Sequence, residues 1–359
     1  MNIHPTAIVS SEATIGRDVE IGAYSVIGPE VVLADGCRIH HHVTIEGCTT
    51  LGEGCEVFPQ AVLGTPPQDL KFRGERTTLE IGSRNVFREM VTAHPGTSNG
   101  GGVTRIGDRN LFMIGVHVAH DCIIGNHCVF ANYVQLAGHV HVENNVNIGG
   151  QCGIHHFVTI GRHAFVGGMT RVPADVPPFV VLVAARGTRS EVRMINGVGL
   201  QRSGYSNEDI GALKSAFMRL FSRRARLSGT AIRDRVQTLL DEPDINPHVR
   251  YLCESLMRSF AHGRHGRYLE SLRADPVHRG TWKLGNRYTL TVQVEGRGTV
   301  HKTASPIGDR KHEVFELVAK ADPGWVFAGW NGPLSGRKNP ECVVLDRNLT
   351  VAATFTPQP

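Results

Sequence analysis

Residues 111–136 read LFMIGVHVAHDCIIGNHCVFANYVQL, in which Phe112, Val118, Ile124, Phe130 and Leu136 fall at every sixth position. Neither a helix, with about 3.6 residues per turn, nor a strand, with about two, has that period. The same beat runs from Ile3 through Val9, Ile15, Ile21, Ile27, Leu33, Ile39, Ile45, Leu51 and Val57 to Leu63, and again from Ile106 to Val172. Two positions before each beat lies a mostly small or β-branched residue, among them Ala7, Val19, Cys37, Val43, Cys55, Val116, Cys122 and Cys128. Glycine often follows the beat, as at Gly16, Gly107 and Gly125.

A short strand, a glycine-permitted turn and a second short strand, three times over, close a triangular coil of about 18 residues with one apolar residue per corner. The pattern predicts a mainly β chain: a left-handed parallel β-helix of hexapeptide repeats over residues 1–189, its coils about 4.8 Å apart. Two stretches break the beat, GTPPQDLKFRGERTTLE at 64–80 and HPGTSNGGGVT at 94–104, and the second shifts the phase. A solenoid core has no use for such stretches, and extruded loops belong to the binding face. From Ser190 the spacing turns helical in NEDIGALKSAFMRLFSR, GTAIRDRVQTLLDE and PHVRYLCESLMRSF, which predicts an α-helical subdomain over 190–274. A linker over 275–283 and a small β-rich domain over 284–359 follow, the latter read from the alternation in RYTLTVQVEG, GTVHKTAS, HEVFELVAKAD, WVFAGWNG and LTVAATF.

Composition bounds the function. With 41% hydrophobic and 20% charged residues in 359, the chain reads as a globular protein of two or three domains. No apolar run approaches the roughly 20 residues of a membrane span, and the first residues lack the basic start and apolar run of a signal peptide, so a cytoplasmic location is expected. The eight cysteines have no paired metal spacing and most sit at one phase of the hexad, which suits small buried fillers in a reducing compartment. Net charge is +5, but between Arg186 and Arg235 eleven Lys/Arg stand against four Asp/Glu. An acidic protein partner would dock there, and no nucleic-acid partner is expected.

An 18-residue coil stacks His120, Gly138 and His156 above one another and sets Asp121, His139 and Phe157 in the adjacent column, with His117 and His155 close by. A histidine-rich strip beside the two loops is the candidate site. His40, His41, His42, His127, His141 and His163 are read as scattered surface histidines.

The stretches QDLKFRGE, HPGTSNGGGVTRIGDRN, HVAHDC, LAGHV, IHHF and VGGMTRVPADVPP occur in that order, and with the helical tail they cover about residues 1 to 265. This part of the chain resembles the UDP-N-acetylglucosamine O-acyltransferases that begin lipid A synthesis. The resemblance implies transfer of an (R)-3-hydroxyacyl group from acyl carrier protein to the 3-hydroxyl of UDP-N-acetylglucosamine, with no cofactor and no metal. A sugar hydroxyl is too weakly acidic to attack a thioester unaided, so a neutral imidazole accepts its proton. On matched positions His120 corresponds to that base, Asp121 to its orienting carboxylate and Gly138 to the backbone donor for the oxyanion. Asp69, Lys71, His94, His117, His139 and His155 fall where the family contacts the nucleotide sugar or acyl chain, and His156 stands at such a position where glutamine is common. Asn196 and Arg202 match positions where the tail meets substrate from a neighbouring subunit, which implies a homotrimer with active sites in its clefts. Gly168 matches the position that sets acyl-chain length; glycine leaves the groove open, so a chain of about fourteen carbons is expected. Val198, where an acidic residue can occur, and Ser203, where a second arginine follows Arg202, also depart from the family pattern.

Four other readings compete. Some family members prefer a 3-amino sugar, against which His117 weighs mildly; the related N-acyltransferase carries an additional N-terminal domain, whereas this chain begins with hexads. Zinc chemistry on the same scaffold would need an H-x4-H pair that HVAHD lacks. Residues 288–356, with YTLTVQVEGRGTV, PGWVFAGWNG and NLTVAATF, resemble β-grasp-like bacterial repeat modules of surface proteins, which implies a binding or decorating role with an unknown partner. Trp325 and Trp330 are read as packing the core of that module.

Overall fold

The computed structural model describes residues 2–185, 190–262, 266–272, 290–304, 313–345 and 349–358, so the expected linker at 275–283 lies outside the described residues. Strands of two residues, such as Glu20–Ile21, Val26–Ile27 and Val32–Leu33, follow one another onto three faces, here called I, II and III. Each pairs in parallel with the equivalent strand of the next coil, Ile21 with Ile39, Ile27 with Ile45 and Leu33 with Leu51. The result is a left-handed parallel β-helix with sheets of 11, 9 and 8 strands among the described residues. The hexad residues point inward: Leu51, Leu63, Val118, Phe130 and Leu136 are fully buried, each contributing roughly 1.5–3 kcal/mol. Because coils repeat at the interstrand distance, like side chains stack on like. Phe87, Phe112 and Phe130 lie with centroids 4.9 and 4.8 Å apart and planes 2° and 5° from parallel.

The turn chemistry differs from the sequence expectation. Positive φ falls on the third residue after the beat, whatever its type: Asp18 at 56°, His127 at 58°, Tyr133 at 60°, Asn145 at 59°. Asn, Asp and His tolerate this conformation best among non-glycine residues. Gly107 does not adopt it, yet a Cβ there would lie 2.7 Å from the carbonyl oxygen of Gly125 in the next coil. The recurrent glycine is required by close stacking of coils, not by φ.

Both interruptions leave the same edge, the corner between faces II and III. The first departs after Val62–Leu63 and returns at Thr78–Ile81, and the second departs after Thr92–Ala93 and returns at Val103–Ile106. Strand register passes through them, Leu51 pairing with Ile81, Ile81 with Ile106 and Ile106 with Ile124.

Beyond Val172 the chain adds Val180–Ala184 and Ser190–Ile195 to face I as an antiparallel pair. This corrects the expected helical start at 190: the alternating SEVRMI finds hydrogen-bond partners on the open edge of the sheet and closes it. Helices begin only at Gly197–Arg202 and continue with Asn207–Phe221, Arg223–Leu227, Ile232–Leu240, Pro247–His262 and Tyr268–Leu272. Ser206 caps the second through Asp209 N–H, and that helix buries Ile210, Leu213, Ala216 and Leu220 on one stripe. Asp175 ties the helices to the last coil by accepting Thr159 N–H, Tyr268 N–H and the Ser259 hydroxyl. His163, read as a surface histidine, is instead buried, its ring 5.1 Å from that of Tyr205 where the helices cover the coil. The seven cysteines whose side chains are described are all buried and unpaired. Among the described residues no helix is long and apolar enough to cross a membrane.

Lys283–Pro359 form a separate unit with its own core of Leu317, Trp330, Val351, Ala353 and Phe355. Its described residues form two three-stranded sheets, one ordered Leu290–Glu295, Leu349–Pro357, Trp325–Asn331 and the other Gly298–Ala304, Glu313–Ala321, Glu341–Leu345. The last strand was absent from the sequence reading. Trp330 is core, as expected, with its indole N–H donating to the Lys338 carbonyl at 2.8 Å.

Candidate active site

The II–III corner that extrudes both loops also carries the histidine columns. His117 opens the strand His117–Val118 on face II, and His120 and Asp121 turn the corner before Ile123–Ile124 on face III. Gly138 and His139 turn it one coil further, and His156 and Phe157 one coil beyond that. Coil closure places Asp121, His139 and Phe157 at φ of 60°, 63° and 64°, stacking them as a ladder. The His139 ring lies 4.4 Å from Phe157 at 11° and 5.1 Å edge-on from His120.

His120 Nδ1 lies 2.7 Å from Asp121 Oδ2. A carboxylate accepts, so the imidazole proton sits on Nδ1 and Nε2 presents a lone pair. That nitrogen faces the Gly138 corner, since a Cβ on Gly138 would lie 2.8 Å from it. Neighbouring backbone groups are committed to the coil, Ala137 N–H to Ile154 and His139 N–H to His120, whereas Gly138 N–H donates to no backbone carbonyl among the described residues. A proton acceptor thus lies beside a corner whose backbone N–H is uncommitted, and acyl transfer calls on both kinds of group.

Asp121 is almost wholly enclosed, its side chain 1% exposed. Thr97 from the second loop donates to it twice, from N–H at 2.8 Å and from the hydroxyl at 2.7 Å. Sequence reasoning missed Thr97 because an insertion has no period to place it. Ligand atoms of His120, Asp121 and His139 lie within 4.8 Å of one another, a spacing that suits a metal ion. Both Asp121 oxygens are nevertheless already engaged by Thr97 and His120, which fits an orienting carboxylate better than a ligand.

His94 is buried where the second loop departs. Its Nδ1 lies 3.0 Å from the Thr65 carbonyl and so carries the proton, leaving Nε2 buried as an acceptor without a partner among the described residues. His117 packs against it at 5.4 Å and holds the Thr92 hydroxyl at 2.8 Å. Burial, then the neighbouring His94 and His120, lowers the His117 pKa to about 4, so the imidazole is neutral at pH 7. On face II a groove of ≈ 350 Å³ runs past His117, Gln135, Ala137, Gly153, His155 and Arg171. Asp69 and Lys71 lie in the first loop, where Asp69 accepts Lys71 N–H at 3.0 Å. The remaining candidates are elsewhere in a single chain. Gly168 is exposed on the I–II corner, with backbone atoms of Gly150 in ordinary contact with a would-be Cβ. Asn196 sits at the III–I corner, donating to the His163 carbonyl and capping the first helix through Gly199 N–H. Arg202 is exposed in that helix's last turn.

His163, like His117, is lowered to about 4 by burial. The unfolded chain takes up these protons near pH 6.5, so their contribution to stability is present above about 6.5 and is lost as pH falls toward about 4. Melting temperature is expected to drop across that window, and less steeply in a His163→Gln variant; parallel slopes would refute the assignment.

Comparison with known proteins matches these segments in order. The bacterial transferase hexapeptide family model matches residues 12–47 and 104–138, and the model for domain 2 of UDP-N-acetylglucosamine O-acyltransferase matches 175–264. The divergent InlB B-repeat domain model matches 288–359. An acyl-[acyl-carrier-protein]–UDP-N-acetylglucosamine O-acyltransferase of Nautilia profundicola is 43% identical over 210 residues, 58% of this chain and 78% of the relative. The enzyme of that name from Agrobacterium fabrum is 40% identical over 241 residues, 67% of this chain and 88% of the relative. A crystal structure of a UDP-N-acetylglucosamine acyltransferase superposes with a TM-score of 0.67 at 40% identity, covering 72% of this chain and 96% of that one. These matches span 88% of the Agrobacterium relative and 96% of the solved chain, and on that basis this chain belongs to the UDP-N-acetylglucosamine O-acyltransferase family.

Proposed function

We propose that the chain transfers an (R)-3-hydroxyacyl group from acyl carrier protein to the 3-hydroxyl of UDP-N-acetylglucosamine, the opening step of lipid A synthesis, with His120 as general base. The observation that carries this reading is the placement of the His120 ring, whose Nδ1 is tied to Asp121 and whose Nε2 faces the Gly138 corner. The sugar hydroxyl oxygen attacks the thioester carbonyl carbon while its proton passes to Nε2. Charge gathers on the carbonyl oxygen, where Gly138 N–H meets it, and the Asp121 carboxylate faces the imidazolium. Collapse breaks the carbon–sulfur bond, and the leaving thiolate takes the proton from His120. Asp69, Lys71, His94, His117, His139, His155 and His156 border the nucleotide sugar and acyl chain, with Lys71 suited to the diphosphate.

The assembly we propose is a homotrimer. Gly168, Asn196 and Arg202 lie on other corners than His120, so a neighbouring copy has to bring such groups into the cleft. The exposed arginines of the tail, Arg202, Arg223, Arg224 and Arg226, offer a surface for the acidic carrier protein. Buried, unpaired cysteines support a cytoplasmic setting.

The test is direct. Incubation with (R)-3-hydroxymyristoyl acyl carrier protein and UDP-N-acetylglucosamine is expected to give the O-acylated sugar nucleotide by mass, and a fourteen-carbon donor to outcompete a ten-carbon one because nothing at Gly168 blocks the groove. No product from a folded oligomer would reject the donor or the acceptor; a win for the ten-carbon donor would reject the open groove.

A further inference from the structure

We infer that Thr97, in the second extruded loop, is a positioning residue for acyl transfer: its N–H and hydroxyl fix the Asp121 carboxylate that aims His120. The inference rests on the reading of His120 as the base. A carboxylate as enclosed as Asp121 is tolerated only where donors satisfy its oxygens. Three converge on it: Thr97 N–H on Oδ1 at 2.8 Å, the Thr97 hydroxyl on Oδ2 at 2.7 Å and His120 Nδ1–H on Oδ2 at 2.7 Å. Two of the three come from an insertion that the solenoid does not contain. Thr97 is itself 1% exposed. The short helical turn that follows it, Ser98–Gly100, presses onto the carboxylate so closely that a Cβ on Gly100 would overlap the Asp121 carboxyl group.

The turn is also anchored from the other loop. Glu75 Oε1 accepts Ser98 N–H at 3.2 Å and its hydroxyl at 2.9 Å. From below, Asp121 N–H donates to the Thr104 hydroxyl at 2.8 Å. Asp121 therefore cannot turn its carboxylate without breaking its bonds to Thr97, and that rotation would carry Oδ2 away from His120 Nδ1. The imidazole, whose Nδ1 has no other hydrogen-bond partner among the described residues, would lose its fixed direction and its fixed tautomer. The solenoid supplies the base, and the loop fixes its aim.

Thr97→Val keeps the size and the N–H but removes the hydroxyl. Its kcat is expected to fall about 10- to 100-fold, the usual worth of a hydrogen bond to a charged group, with KM for UDP-N-acetylglucosamine within about threefold. Thr97→Ser should recover to within about threefold of the native rate. In an Asp121→Ala background the same Thr97→Val change should cost less than about twofold, because the group it acts through is gone. A native kcat in Thr97→Val, a loss confined to KM, or the full loss repeated on Asp121→Ala would each overturn the inference. A substrate-free readout keeps the test separate from the identity of the substrates. The downfield imidazole N–H proton signal that His120→Ala abolishes should shift or broaden in Thr97→Val and return in Thr97→Ser. An unmoved signal overturns the role of Thr97; a His120→Ala enzyme as fast as the native one overturns the base instead.

Discussion

His120→Ala is expected to lower kcat by about 10²- to 10⁴-fold, the span that a positioned general base contributes, while KM for UDP-N-acetylglucosamine stays within a few-fold. The separation follows from the contacts. His120 reaches Asp121 and the Gly138 corner, whereas the other loop and groove residues remain in place without it. Folding should survive, because Asp121 keeps both Thr97 donors and the coil keeps its ladder, His139 N–H to the residue-120 carbonyl included. Initial rates against both substrates, with the melting temperature measured alongside, check the claim. A variant within tenfold of the native kcat would move the base elsewhere, with His139 next in line because its Nε2 lies 3.8 Å from the same carboxylate.

How far the sequence could be read depends on what repeats. Each coil restates the beat, so the period, the inward residues and the vertical columns His120–Gly138 and Asp121–His139 were all legible from spacing. Corner conformation was not: coil closure imposes positive φ on Asp121, His139 and Tyr133 alike, and residue type carries little trace of it. The glycine after the beat was visible but misread, because its cause lies in the next coil rather than in its own φ. Thr97 was inside a quoted insertion, yet nothing local marks it as the partner of a residue 24 positions away. Ser190–Ile195 became a strand because an open sheet edge was available to it, a tertiary fact that overrides local pattern. Gly168 and Asn196 came from resemblance alone, and in one chain they occupy different corners from His120.

Gly138→Ala is expected to be nearly as damaging as loss of the base, at about 10²-fold or more in kcat, although it adds one carbon. The new Cβ would lie 2.5 Å from His120 Cε1 and 2.8 Å from Nε2, closer than a carbon tolerates. Gly138 does not have positive φ, so alanine meets no backbone penalty and the cost is steric. The ring has little room to yield, because its Nδ1 is bound to a carboxylate that Thr97 holds from two sides. Either the imidazole swings off line or the Gly138 corner retreats; a misplacement of about 1 Å can cost about 10²-fold, and displacing the oxyanion donor costs about 10²- to 10³-fold. KM should change far less than kcat, and the melting temperature by only a few degrees, since overpacking one corner costs typically about 1–3 kcal/mol. Base and donor serve one transition state, so their losses should not add: His120→Ala with Gly138→Ala is expected to be scarcely slower than His120→Ala alone. If the double variant instead shows the full product of the two losses, Gly138 and His120 act in separate steps, and the tetrahedral intermediate does not form between them.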